Sequence, residues 1–160
     1  AAALAAWHPE ARPVAVYAAR AALSAVAEDA ELMVLDPGAE VTFVVRRPGV
    51  WALAKQQDWT PSYNDPELAA EMGGAAARFP AIRRIELLPG RGVAVRTGDG
   101  AVISGGGAGP ELQAVLYLED GLDAAGVQEL VAGLQSEWSR NVLFGERVDS
   151  LEIKLRRAPD

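Results

Sequence analysis

The clearest periodicity lies in the last third of the chain. Val127, Leu130, Val131, Leu134 and Trp138 recur at the i, i+3, i+4, i+7 spacing of one helical face. The spacing predicts a helix from about Asp123 to Trp138, with Asp123 as its N-cap. A second stripe, Leu68, Met72, Ala76 and Phe79, predicts a helix over Asp65–Phe79. Asp65 suits the cap, Pro66 the first turn, and Glu67 the positive end of the helix dipole. Gly73-Gly74 inside it costs about 1 kcal/mol per glycine relative to alanine, so packing must hold this helix or it kinks there. An alanine-rich helix is expected over Pro13–Glu31, with Val14, Tyr17, Ala21 and Ala25 on one face.

Alternation marks the strands. Leu151, Ile153 and Leu155 alternate with Glu152, Lys154 and Arg156, the pattern of a half-buried strand. Val41, Phe43 and Val45 alternate with Thr42, Val44 and Arg46, and Asp36-Pro37-Gly38 turns the chain back from Leu32–Leu35. Ile82–Leu88 and Val93–Thr97, joined by Pro89-Gly90-Arg91-Gly92, read as a hairpin. Ala101–Ser104 follows a glycine turn, and Trp51–Lys55 and Val142–Phe144 are short strand candidates. Leu112–Leu118 is apolar on both faces, which predicts a central strand covered on both sides. Phe43, Val45, Leu116, Leu130, Leu134, Ile153 and Leu155 are expected to share a core.

Each expected helix is followed by two expected strands. This rhythm predicts an α+β fold with antiparallel sheet, about three helices and repeated αββ units, in the split βαβ manner of ferredoxin-like or POTRA-like domains. Residues 1–12 read as a tail or linker and 13–160 as a single α+β domain. Two αββ lobes with a boundary near 98–111 are the alternative. Each strand pair carries two adjacent arginines: Arg46-Arg47, Arg83-Arg84 and Arg156-Arg157. These read as rim ion pairs with acids such as Glu86 and Glu152, or as an anion site.

Composition narrows the chemistry. Of 160 residues, 50% are hydrophobic and 23% charged, which is globular usage. Fifteen Lys and Arg against 22 Asp and Glu leave −7, a poor balance for nucleic acid or for a polybasic membrane anchor. No run approaches the roughly 18 apolar residues of a membrane span, so a membrane enters only through a segment outside this chain. Cysteine is absent and His8 is the one histidine. Thiolate chemistry and two-histidine metal sites within one chain are thereby excluded, and no metal or other cofactor is expected. The run Gly105-Gly106-Gly107-Ala108-Gly109 leads into Pro110 and a strand rather than a helix N-terminus, so it is not a phosphate loop. Glu119-Asp120-Gly121-Leu122-Asp123 reads as a turn plus a cap.

One segment remains as a candidate site. Trp51, Trp59 and Tyr63 fall within thirteen positions, interleaved with Asp58, Asn64 and Asp65. Rings and carboxylates in a polar loop suit a partner or ligand surface; they also suit a lid over the core. The function expected is a non-catalytic protein-interaction or assembly module, binding a protein partner or a second copy of itself. The alanine run Ala1–Ala6 reads as the remnant of a signal-peptide or membrane-segment junction. That reading points to the periplasmic or extracytoplasmic part of a membrane-anchored envelope component, with a cytoplasmic place also open. Two rival classes stand beside it. One is a cofactor-independent enzyme using Asp58, Asp65 or Glu119 as acid and base. The other is a small-ligand or carbohydrate binder built on Trp51, Trp59 and Tyr63.

Overall fold

The computed structural model describes residues 5, 8–30, 32–36, 43–96, 102–104 and 109–159. In chain order its elements begin with α1 (Ala18–Ala27), β1 (Leu32–Leu35), β2 (Phe43–Arg46) and α2 (Arg47–Lys55). A 3-10 turn (Ser62–Asn64), α3 (Pro66–Ala76), β3 (Ile82–Pro89), β4 (Ala94–Arg96) and β5 (Val102–Ser104) follow. The chain closes with β6 (Leu112–Leu118), α4 (Ala124–Ser139), α5 (Val142–Arg147) and β7 (Leu151–Arg157). The fold is α+β, with antiparallel and mixed sheets and five described α-helices. The chain divides into two compact units, residues 1–59 with 91–109 and residues 60–90 with 110–160.

In the first unit, β1 and β2 form an antiparallel pair running from Leu32 opposite Arg46 to Leu35 opposite Phe43. β4 and β5 form another antiparallel pair. Ala22, Val50 and Ala54 are the buried centre, with Val26, Met33, Val45 and Leu53 packed around them. Residues Trp51–Lys55 are helical rather than extended. Pro48 sits in the first turn, where its missing N–H is harmless, and Val50, Leu53 and Ala54 then take i, i+3, i+4 positions. A window of five residues was too short to show that period. α1 is shorter than its composition predicts. Tyr17 stands at its N-cap with no side-chain cap, and Asp29 beyond its end has φ 55. Val14 and Tyr17 therefore precede the helix and are exposed. Val41, Thr42, Thr97, Ala101 and the glycine run up to Ala108 lie outside the described residues.

In the second unit the sheet order is β3-β6-β7, with β6 antiparallel to β3 and parallel to β7. Every residue of β6 is buried, as its two-faced apolar pattern predicts. The expected hairpin between Ile82–Leu88 and Val93–Thr97 does not form. β3 pairs with β6 instead, Pro89 opposite Leu112, and Gly90 N–H donates to Glu111 O at 2.7 Å. The physical reason is the central strand: β6 must pair its backbone groups on both edges, and β3 supplies Ile85 and Leu87 to its apolar face. Val142–Phe144 is also helical. Asn141 Oδ1 caps it by accepting from Phe144 N–H at 3.1 Å. The αββ rhythm thus holds for α1-β1-β2; β3 is partnered from afar, and α5 intervenes before β7.

α3 runs uninterrupted through Gly73-Gly74, with Asp65 as its cap and Pro66 in its first turn. Leu68, Met72 and Ala76 of α3 meet Leu130, Leu134 and Trp138 of α4 over Leu112, Ala114, Leu116 and Leu118 of β6. Trp138 Nε1 donates to Met72 O at 3.2 Å, and its ring stacks on Phe144 at 6.2 Å. A Cβ at Gly133 would lie 3.0 Å from the Phe79 ring, so glycine lets that ring approach α4. Among the described residues the buried apolar side chains thus form two clusters, not the single core expected. Phe43 and Val45 are half-buried in the first unit, and Leu155 is 43% exposed. Among the described residues no helix is long and apolar enough to cross a membrane.

Candidate functional site

Helix α2 presents Trp51 on its outer side, 44% exposed, with Lys55 Nζ one turn along and 5.2 Å from the ring centroid. Such a pairing orients the indole without hiding it. Gln56 then closes α2 in the left-handed region, φ 54, and turns the chain into the Asp58 loop. Asp58 is exposed, and Trp59 is 45% exposed. A Cβ built on Gly49 would lie 3.7 Å from the Trp59 ring, so one side of the indole rests on that backbone. The two tryptophans and Asp58 belong to the first unit, and Tyr63 and Asn64 to the second. Tyr63 packs against the core of its own unit, while Asn64 is exposed in the 3-10 turn.

The three carboxylates of the enzymatic alternative occupy distinct surroundings. Asp65 is buried, accepts from the Glu67 and Leu68 amides at 3.0 and 3.1 Å, and faces Arg147 Nη1 at 2.7 Å. Burial alone raises its pKa, but the Arg147 hydrogen bond and the cap amides outweigh it and hold the carboxyl below its ordinary value. Arg147 is raised in turn, first by Asp65, and its other Nη binds Glu67 at 2.8 Å. Glu119 is paired with Arg83. Among the described residues no cluster of His, Asp or Glu could hold a metal ion.

A grouping that sequence reasoning did not assemble lies on the outer face of the second sheet. β3 and β7 flank β6, so Arg84 and Arg156 both register with Tyr117. The Arg84 guanidinium lies 4.0 Å from the centroid of the Tyr117 ring, whose hydroxyl donates to Glu86 Oε2 at 2.9 Å. Arg83 and Arg157 pair with Glu119 and Asp120. The arginine pairs were visible as dipeptides; their convergence depends on two strands that are neighbours of β6 and not of each other in sequence. The remaining pair behaves differently: Arg46 Nη2 donates to Gly92 O and Gly109 O at 3.2 and 2.8 Å, clasping the two ends of the β4-β5 excursion.

Residues 1–52 match the family described as the SseB protein N-terminal domain. The similar stretch takes in α1, β1, β2 and most of α2, all elements of the first unit. The description names a domain and no reaction. No curated protein and no solved structure matches the chain.

Proposed function

We propose that this protein is an interaction module and that its first unit carries the surface for a protein partner or a second copy. One observation carries the reading. Among the described residues, nine of the twelve large exposed apolar ones fall in the first unit, among them Val14, Tyr17, Leu32, Val34, Trp51 and Trp59. Among its described residues, Ala22, Val50 and Ala54 form the buried apolar centre of this unit. Exposed apolar side chains in such number are uncommon around so small a core, and tryptophan and tyrosine are frequent interface anchors. The edge of β1 away from β2 is unpaired among the described residues, and Leu32, Val34 and Leu35 on it are exposed. Such an edge suits strand addition by a partner. The similarity of residues 1–52 to a named N-terminal domain supports treating this unit as a transferable piece.

The test takes Trp51→Ala and Trp59→Ala in the full chain and measures two quantities. One is thermal melting; the other is self-association by sedimentation or light scattering, with partner capture where self-association is absent. The reading expects lost association with a melting temperature preserved to within a few degrees. A sharp fall in melting temperature with normal association of the folded fraction makes the rings part of the core, and the reading fails.

A further inference from the structure

We infer that the row Arg84, Tyr117 and Arg156 on the outer face of the β3-β6-β7 sheet is a binding site for a phosphate group. The inference is independent of the partner surface above, because all its residues lie in the second unit. The register sets Arg84 and Arg156 on either side of Tyr117. Adjacent strands lie about 4.8 Å apart, so the two arginine Cα atoms stand roughly 10 Å apart, a gap that two extended side chains and one anion fill. The next row along the same face is Glu86, Val115 and Lys154. Together the two rows present three cations against one carboxylate, in a chain whose net charge is −7.

The acids nearby are already spoken for. Glu86 accepts the Tyr117 hydroxyl and is 3.6 Å from Arg84 Nη2. Glu119 and Asp120 are engaged by Arg83 and Arg157. Arg156 and Lys154 are exposed and have no ion-pair partner among the described residues. The Arg84 guanidinium sits over the Tyr117 ring with Nη2 toward Glu86, and the side chain is more than half exposed, so its other N–H groups can reach an incoming oxyanion. Two depressions, of about 700 and 570 Å³, meet at Tyr117, Ala158 and Pro159, one on the Arg84 side and one on the Arg156 side. A phosphate monoester carries about −1.5 to −2 charges and three acceptor oxygens, enough for both guanidinium forks at once. A carboxylate serves one fork and leaves the other unmatched.

The experiment titrates the isotopically labelled full chain with inorganic phosphate and, at matched ionic strength, with acetate. It follows the Arg84 and Arg156 side-chain Nε–H signals and the Tyr117 amide. Saturable shifts with phosphate are expected, with acetate weaker by about tenfold. Arg156→Ala or Arg84→Ala should each weaken phosphate about five- to twentyfold, while Arg140→Ala, at the C-cap of α4 and paired with Glu137, should not. A phosphoserine peptide that binds more tightly than free O-phosphoserine places the group on a protein; equal binding places it on a small metabolite. Non-saturating shifts, equal affinity for acetate, or unchanged affinity in Arg156→Ala overturns the assignment.

Discussion

Asp65 joins three elements through one carboxylate: it caps α3, follows the 3-10 turn and anchors Arg147 at the end of α5. Its folded pKa is held below the ordinary 3.8. The stability it contributes is therefore fully present above that value and is lost as pH falls through the lower folded value. Asp65→Asn keeps an oxygen for the cap amides but removes the charge facing Arg147. The expected loss near neutral pH is about 1–3 kcal/mol, since hydrogen bonds to charged groups are worth that much. The gap between variant and parent should close below the folded pKa, where the parent is neutral too. Denaturant melts from pH 7 to pH 2 measure it, and a pH-independent gap contradicts the role of the charge.

Among the elements, α2 and α4 show how local chemistry and packing divide the work. α2 ends on Gln56 at φ 54, ψ 43, a conformation that costs a side-chain-bearing residue about 1 kcal/mol. Gln56→Gly should therefore stabilise the chain by about 0.5–1 kcal/mol, as read from a denaturant midpoint, with no change in association. A destabilised variant would mean that the Gln56 side chain contributes more than its backbone strain costs. α4 is held by its stripe rather than by propensity. Leu134 is fully buried between α3 and β6 contacts, so Leu134→Ala should cost about 2–5 kcal/mol. A cost below 1 kcal/mol would show that the second core collapses around the gap.

At the scale of the whole molecule, the first unit is assembled from two stretches of chain and the second is interrupted by one of them. The interruption is closely joined. A Cβ on Gly90 would fall 2.2 Å from Pro110 O, and one on Gly92 would fall 2.2 Å from Gly109 O. Glycine is required at both crossings because the backbones touch. Since β3 and β6 already pair up to Pro89 and Leu112, residues 91–109 enter and leave the sheet at one point. Residues 60–160 with 91–109 replaced by a short glycine turn should fold and melt cooperatively, keeping the near-ultraviolet signal of Trp138 stacked on Phe144. Loss of that signal would mean the second unit depends on the first. Gly90→Ala in the full chain should be strongly destabilising by the same geometry.

Several features were determined by sequence alone. The caps at Asp65 and Asp123, the stripe of α4 and the two-faced burial of β6 each rest on neighbours within one or two turns or on composition. The α+β class followed from the same periods. Pairing was decided elsewhere. Ile82–Pro89 takes β6 rather than the adjacent Ala94–Arg96, because the central strand offers more burial than a tight turn does. Trp51–Lys55 and Val142–Phe144 are helical because Pro48 and Asn141 start helices whose apolar period extends beyond so short a window. The candidate surfaces divide the same way. Trp51 and Trp59 stand out in sequence because a large ring in a polar stretch is conspicuous. The Arg84, Tyr117 and Arg156 row does not, because strand order alone brings two arginines from opposite ends of the second unit's sequence beside one ring. Local chemistry sets helix ends and faces; the long-range pairing of β6 with β3 and β7 sets which charges meet.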